Sequence, residues 1–353
     1  MSSKVLDKKE ILPLQPTYGL SQLYHPELAP HRFQSKTIPE AEDWQQQTRE
    51  LLRRALGFTH LPEVPLKAEQ IEEVQRDGYI RQKWLLTTWE HAVLPFYLLI
   101  PAHIKPPYRP VVAFHGHGYG VKDIVGLWED GEERFTPDGY HKDFGVALCK
   151  RGFVVTAPEI SCFGERRTDF TSVPGFEDWQ TCAYTSRFAS FLGGTPLGLR
   201  VVDAMKLVDF LSERSDIDIN HLGAMGISGG GMHTFFSTAL DSRIKAAVIS
   251  GYYCNFRASI LAMNHCECNY VPGLGQFGEI YDLIGLIAPR PVLIESGDHD
   301  DIFPRPAVEE AVAIARERVY SVWNASDRVH TDYFEGRHQI SGVTAYDFLW
   351  NVL

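Results

Sequence analysis

The spacing of apolar positions changes along the chain, and each change marks an element. Residues 1–36 are mixed and Pro-punctuated, with Tyr18, Leu20, Leu23, Tyr24 and Phe33 as anchors, and read as an irregular arm packed on the remainder. From Pro39 to Leu56 the period is helical. Trp44, Leu51, Leu52, Ala55 and Leu56 share a face, and Gly57 can end the helix. Tyr79–Trp89 and Ala92–Ile100 are rich in β-branched and aromatic residues around Glu90-His91, which predicts an antiparallel hairpin. After Pro101 the pattern becomes strand, loop, helix, repeated. Strands are expected at Val111–Phe114, Phe153–Ala157, His221–Gly226, Ile244–Ser250, Val292–Glu295 and Val329–Glu335. Helices are expected at His141–Lys150, Pro196–Arg214, Gly229–Leu240, Pro306–Tyr320 and Ser341–Leu353. Of these, Pro196–Arg214 is the most clearly amphipathic, with Leu197, Val201, Ala204, Val208 and Leu211 on one face, Thr195 as N-cap and Pro196 in the first turn.

Short apolar strands alternating with helices imply an α/β fold: a mostly parallel sheet covered on both faces, here with an antiparallel hairpin at one edge. No repeat, low-complexity tract or linker interrupts it. Residues 1–74 are therefore expected to be an arm and helix packed on one domain spanning 75–353. Two connections exceed ordinary loop length. One is 119–140; the other is 165–194, which carries Trp179, Tyr184, Phe188 and Phe191. Both leave the carboxyl ends of strands, where open α/β sheets bind ligands, so both are candidate pocket walls.

Composition narrows the class without naming a substrate. The 353 residues are 44% hydrophobic and 22% charged, ordinary for a soluble globular protein. A formal charge of −11 argues against nucleic acid or an anionic membrane as the main partner. The start, MSSKVLDKKE, lacks an apolar signal region, and no apolar run is long enough to span a bilayer, so a cytoplasmic location is expected. The six cysteines then read as free thiols. His265-Cys266-Glu267-Cys268 gathers metal-ligand types, but zinc needs four ligands and no second spaced pair is visible. That stretch reads as a loop with free thiols, and neither metal nor cofactor is expected.

The candidate chemistry lies in Met225–Met232, where Gly226-Ile227-Ser228-Gly229-Gly230 forms Gly-x-Ser-x-Gly between an apolar run and a helical one. Small residues two before and two after a serine let the backbone turn sharply and leave Oγ exposed. A serine hydroxyl needs a base to take its proton and a carboxylate to orient that base. Downstream, Pro291–Asp301 is a strand ending in Asp298, Asp300 and Asp301, and Phe334–His338 is the last strand ending in a histidine. Asp298 and Asp301 rival Asp300, and His330 rivals His338, although His330 falls near the start of a strand. His115 reads as a structural histidine bonded to loop backbone.

The motifs HGHG at 115–118, GISGGG at 226–231, PRPVLIESGDHD at 289–300 and EGRH at 335–338 resemble those of α/β-hydrolase serine esterases, in the branch of acetylxylan esterases and dienelactone-hydrolase-like proteins. The resemblance covers roughly residues 75–353. It departs from true dienelactone hydrolases, which use a Cys nucleophile where this chain has Ser228. It implies Ser228 as nucleophile, His338 as base and acid, and Asp300 as the orienting carboxylate. It also implies oxyanion donors at the backbone N–H groups of Gly229 and His117. Tyr119, Phe163 and Trp128 are the candidate pocket residues. Glu159 and Arg166 are expected to support the site as ion-pair partners. The expected activity is that of a serine carboxylesterase acting on a small-molecule ester with a short acyl chain, acetylated sugars included. An amidase or peptidase of the prolyl-oligopeptidase type, an acyltransferase and a non-catalytic binding member of the fold are the alternatives. Oligomerisation is left open.

Overall fold

The computed structural model describes residues 11–58, 61–177 and 180–353. Trp179 lies outside the described residues. Nine strands form one sheet: β1 (Ala68–Arg76), β2 (Tyr79–Trp89), β3 (Ala92–Pro101), β4 (Pro110–Phe114), β5 (Val154–Pro158), β6 (Gly223–Ile227), β7 (Ala246–Ser250), β8 (Val292–Gly297) and β9 (Val329–Phe334). Their spatial order is β1-β2-β3-β5-β4-β6-β7-β8-β9. The first three strands pair antiparallel, β3 joins β5 antiparallel, and every later pair is parallel. Strands β4 to β7 are buried along their whole length, which is why they appear as unbroken apolar runs. Strand β1 was not expected. It is almost wholly exposed, and its charges at Glu69, Glu72, Glu73 and Arg76 suit an edge that must not pair with another chain. The sheet therefore begins inside the segment expected to be arm.

Among the described residues the main helices are α1 (Ile38–Leu56), α2 (Phe144–Lys150), α3 (Thr181–Phe191), α4 (Pro196–Glu213), α5 (Gly229–Leu240), α6 (Arg305–Ile314) and α7 (Ala345–Val352). Helix α1 opens on a capping box between Thr37 and Glu40 and stops at Gly57, whose φ is +83°. Its Gln45 donates to the carbonyls of Gly285 and Ala288, while Arg49 and Arg53 donate to Ala239 and Leu240 at the end of α5. Those arginines satisfy terminal carbonyls that have no partner within α5. One core packs α5 residues Phe235 and Phe236 against Ile249 and Leu286. Another sets Phe144 and Leu148 of α2 and Phe348 and Leu349 of α7 on Val111, Val155 and Val248.

Further elements differ from expectation. The 165–194 connection holds helix α3 rather than loop throughout. The helix expected from His141 begins at Phe144, because Lys142 and Asp143 take φ values of +50° and +47° and His141 serves the neighbouring loop. The helix expected over Pro306–Tyr320 is regular only to Ile314, then widens into a π turn at Ala315–Val319 and tightens at Tyr320–Trp323.

Strand β4 has β5 on one side and β6 on the other, so successive crossovers wind in opposite directions from it. The segments leaving β4 and β6 open a crevice at this switch point. HGHG follows β4 and Ser228 follows β6. The sheet order brings the two motifs together.

Candidate active site

Ser228 sits between β6 and α5 with φ +58° and ψ −122°, a conformation that costs a non-glycine residue about 1–3 kcal/mol. Packing holds it there. The Ser228 N–H donates to the Ser250 carbonyl at 3.0 Å. A side chain at Gly226 would lie 2.7 Å from the Phe114 carbonyl oxygen, and one at Gly230 would lie 2.6 Å from that of His115. Glycine at both positions is what lets strand, turn and helix approach so closely.

His338 and Asp300 meet on the far side of β7. His338 Nδ1 lies 2.8 Å from Asp300 Oδ2, and Asp300 Oδ1 accepts from the N–H groups of Ile302 and Phe303 at 2.9 and 3.0 Å. Burial opposes ionisation of Asp300, but the hydrogen bond and charge of His338 with these two amides outweigh it, and the carboxyl is held below its ordinary value. A carboxylate fixed at Nδ1 leaves Nε2 as the basic nitrogen. Nε2 is buried and has no protein partner among the described residues. The rings of Tyr140 and Phe303 lie 5.6 and 5.7 Å from the imidazole, inclined to it by 29° and 23°. Of the rivals, Asp298 is exposed and pairs with Arg305, Asp301 is exposed, and His330 is exposed on β9 against Phe348.

Gly251 joins this pair to the elbow. It follows Ser250, has φ +50°, and a methyl group there would lie 2.9 Å from His338 Cε1 and 3.1 Å from Nδ1. Gly251→Ala should therefore displace the imidazole by a few tenths of an ångström and strain the backbone by about 1–2 kcal/mol. We expect kcat to fall by roughly 10–100-fold while the protein still folds. Steady-state kinetics beside a thermal melt would test this; unchanged kcat in a folded variant would count against a role for the His338 position.

HGHG is held by two histidines. His115 Nδ1 lies 2.7 Å from the Gly116 carbonyl, and its Nε2 accepts from the Ile160 N–H at 3.0 Å, both within the loop framework. His141, unremarked in the sequence, accepts from the Gly116 N–H at 2.8 Å, and its Nδ1 lies 2.8 Å from Asp123 Oδ2. Burial keeps His141 below the usual histidine range, so the neutral ring can accept this bond. Asp123 and Asp143 in turn bind the buried Arg134 at 3.2 and 2.6 Å. The Tyr140 hydroxyl donates to the His117 carbonyl. The His117 ring faces Gly229, where a side chain would lie 3.1 Å from it.

The three expected pocket residues separate. The Phe163 ring meets that of His117 edge-on at 5.2 Å. Tyr119 and Trp128 belong to the framework of their own loop. The Tyr119 hydroxyl donates to the Leu127 carbonyl and accepts from Arg134, whose guanidinium also lies 5.1 Å from the centre of the Trp128 ring. The expected pairing of Glu159 with Arg166 is corrected. Arg166 reaches only the Glu159 carbonyl and pairs with Asp203 at 2.7 Å, whereas the buried Glu159 carboxylate faces His115 and the Val121 N–H.

A further buried carboxylate was missed. Glu295 of β8 accepts from the Ser250 hydroxyl at 2.6 Å and from the Gly342 N–H at 3.0 Å, tying the elbow's neighbour to the loop after His338. Its signal in the sequence was an acid inside an otherwise apolar strand. Burial pushes its pKa up from 4.5 to about 7. A folded-state pKa above the unfolded one means a contribution fully present below 4.5 and lost as pH rises through 7. Glu295→Gln keeps an acceptor for Gly342 and cannot ionise. It should raise stability near pH 9 by up to about 3 kcal/mol and leave it little changed near pH 4. Urea unfolding at both pH values checks this; equal effects at the two would refute it.

A mostly parallel sheet with a strained serine turn at its switch point and a His–Asp pair beyond later strands defines the α/β-hydrolase fold. The chain belongs to the Abhydrolase family, whose family model matches residues 14–319. It is 28% identical over 270 residues to the Bacillus subtilis (strain 168) protein named "Putative hydrolase YtaP", covering 74% of this chain and 83% of that one. Among solved structures it is similar to a "putative acetyl xylan esterase" from Bacteroides fragilis NCTC 9343, with a TM-score of 0.74, 18% identity, and 91% and 82% of the two chains covered. It is also similar to a glucuronoyl esterase from Solibacter usitatus, with a TM-score of 0.61, 14% identity, and 88% and 92% covered. Among the described residues, no helix is long and apolar enough to cross a membrane.

Proposed function

We propose that the protein is a serine carboxylesterase acting on short acyl esters, with acyl groups on sugars as the substrate class. The observation that carries this reading is the His338–Asp300 pair, whose buried Nε2 has no protein partner and whose ring packs on Gly251, next to the residue that anchors the Ser228 N–H. Ser228 Oγ attacks the ester carbonyl while His338 Nε2 takes its proton. The tetrahedral oxyanion rests on the N–H groups of Gly229 and His117, a role supported by the pairing of β4 with β6, which sets the loops after these strands side by side. His338 then protonates the leaving alcohol, and water releases the acyl group with the same histidine as base. The names of the structural neighbours, an acetyl xylan esterase and a glucuronoyl esterase, support carbohydrate esters as the place to begin.

The test is labelling with a fluorophosphonate together with hydrolysis of p-nitrophenyl esters from acetate to octanoate. Covalent labelling with turnover that declines as the acyl chain lengthens is expected. No labelling, or no turnover of any ester, would overturn the reading. Added alcohol should leave acyl release to water, since an acyltransferase would instead divert the acyl group to it.

A further inference from the structure

The fold assembles a thiol cluster that the sequence leaves scattered. One ligand atom each from His117, Cys266 and Cys268 lies within 4.8 Å of the others. Cys182 of α3 shares Cys266 in a second set with Glu267, within the same 4.8 Å, and hydrogen-bonds with Cys268 and Cys162. Cys162, Cys182 and Cys268 are buried, and Cys266 is partly so. These residues come from the loops after β4 and β5, the start of α3 and the 265–269 segment, so the cluster ties together four separate parts of the chain. His265 is not among them, because its Nε2 lies 3.2 Å from the Ser259 hydroxyl.

Charge says what the cluster requires. Arg200 of α4 is only 1% exposed, and among the described residues no carboxylate lies within ion-pair distance of it. Its guanidinium instead meets the Cys182 sulfur at 3.9 Å, the Ser161 hydroxyl at 3.3 Å and the Ser161 carbonyl at 3.2 Å. A guanidinium cannot lose its proton, and burying it without a counter-charge is costly. Neutral thiols do not supply that charge; thiolates do. Three thiolates and a neutral imidazole around a dication carry one net negative charge, which Arg200 balances. The Asn269 amide lies 3.8 Å from the Cys268 sulfur, a second N–H donor to the same sulfur set. His117 Nε2 is buried and has no protein partner among the described residues. Cys162 is held at φ +78°, strain of the kind that collects at sites.

We propose that His117, Cys182, Cys266 and Cys268 form a tetrahedral site for a thiophilic dication, with zinc the ion their ligand types fit best. Binding expels the three thiol protons to solvent, and Cys162 remains a neighbour that packs on Cys182. The site fastens the loop after β4 to α3 and to the 265–269 segment. Its readout is metal, so it stands or falls separately from the esterase reading.

The experiment is metal analysis of the full chain purified from zinc-supplemented cells, followed by chelation and titration with Co²⁺. About one zinc per chain that survives dialysis is expected, and Co²⁺ should give the thiolate charge-transfer and ligand-field bands of a tetrahedral site. Cys266→Ser, at the most accessible of the three thiols, and Cys268→Ser should lose the zinc. Cys149→Ser, in the opposite core, should retain it. Circular dichroism identifies any variant that has unfolded, and the Co²⁺ spectrum of the unaltered chain does not depend on the variants. Substoichiometric zinc with no thiolate bands, or a disulfide among these cysteines in the purified protein, would overturn the proposal.

Discussion

Ser228→Ala should lower kcat on p-nitrophenyl acetate by about 10⁴-fold or more and abolish fluorophosphonate labelling, while the thermal melt barely moves. The substitution removes one oxygen and nothing that holds the turn. The Ser228 N–H bond to the Ser250 carbonyl is a backbone contact, and the glycines at 226 and 230 still permit the close approach of Phe114 and His115. Alanine bears the same positive-φ strain as serine, so the elbow should keep its shape. The expected loss follows from chemistry alone. On the proposed mechanism no acyl-enzyme forms without Oγ, and what remains is water attacking a carbonyl polarised by the N–H groups of Gly229 and His117. Full turnover in the folded variant would place the chemistry elsewhere.

The parallel half of the sheet was legible because its strands are buried on both faces, so Val111–Phe114 and the runs before Ser228 and Ser250 read as unbroken apolar segments. Helix α5 was bounded correctly at Gly229 and Leu240 because glycines open it and Met232, Phe235, Phe236, Ala239 and Leu240 recur at helical spacing. Strand β1 escaped because Glu69, Glu72 and Glu73 break any alternation, edge protection being chemically indistinguishable from loop. Helix α3 escaped for a related reason. Phe188 and Phe191 face solvent, so its apolar residues do not define a buried stripe. At the site, the order of motifs along the strands pointed to Ser228 and His338 and the resemblance to Asp300, while the turn that presents Asp300 rather than Asp298 or Asp301 to His338 is visible only in the fold. His141 had no signal at all, because its role is to accept one N–H from a loop more than twenty residues away. The thiol cluster was equally invisible, since Cys162 and Cys182 bear no spacing relation to Cys266 and Cys268.

Asp300→Asn should lower kcat by about 10³–10⁴-fold, with Asp301→Asn within roughly threefold of the unaltered protein. The hydrogen bonds at Asp300 decide which way an asparagine would turn. Oδ1 accepts from the N–H groups of Ile302 and Phe303. An asparagine oxygen can keep both bonds only by remaining on that side, which directs its amide N–H₂ toward His338. The amide then donates to Nδ1 at the position where the carboxylate oxygen accepted from it at 2.8 Å. The imidazole proton must move to Nε2, and a nitrogen that already carries a proton cannot take one from Ser228. The geometry survives while the base is lost, so substrate binding should change little and the loss should fall on kcat. Fluorophosphonate labelling should slow to match, because it too requires Ser228 to be deprotonated. Asp301 is exposed and holds no such position, so its neutralisation removes only a surface charge. The reverse pattern, with Asp301→Asn inactive and Asp300→Asn active, would move the orienting carboxylate one residue along the turn.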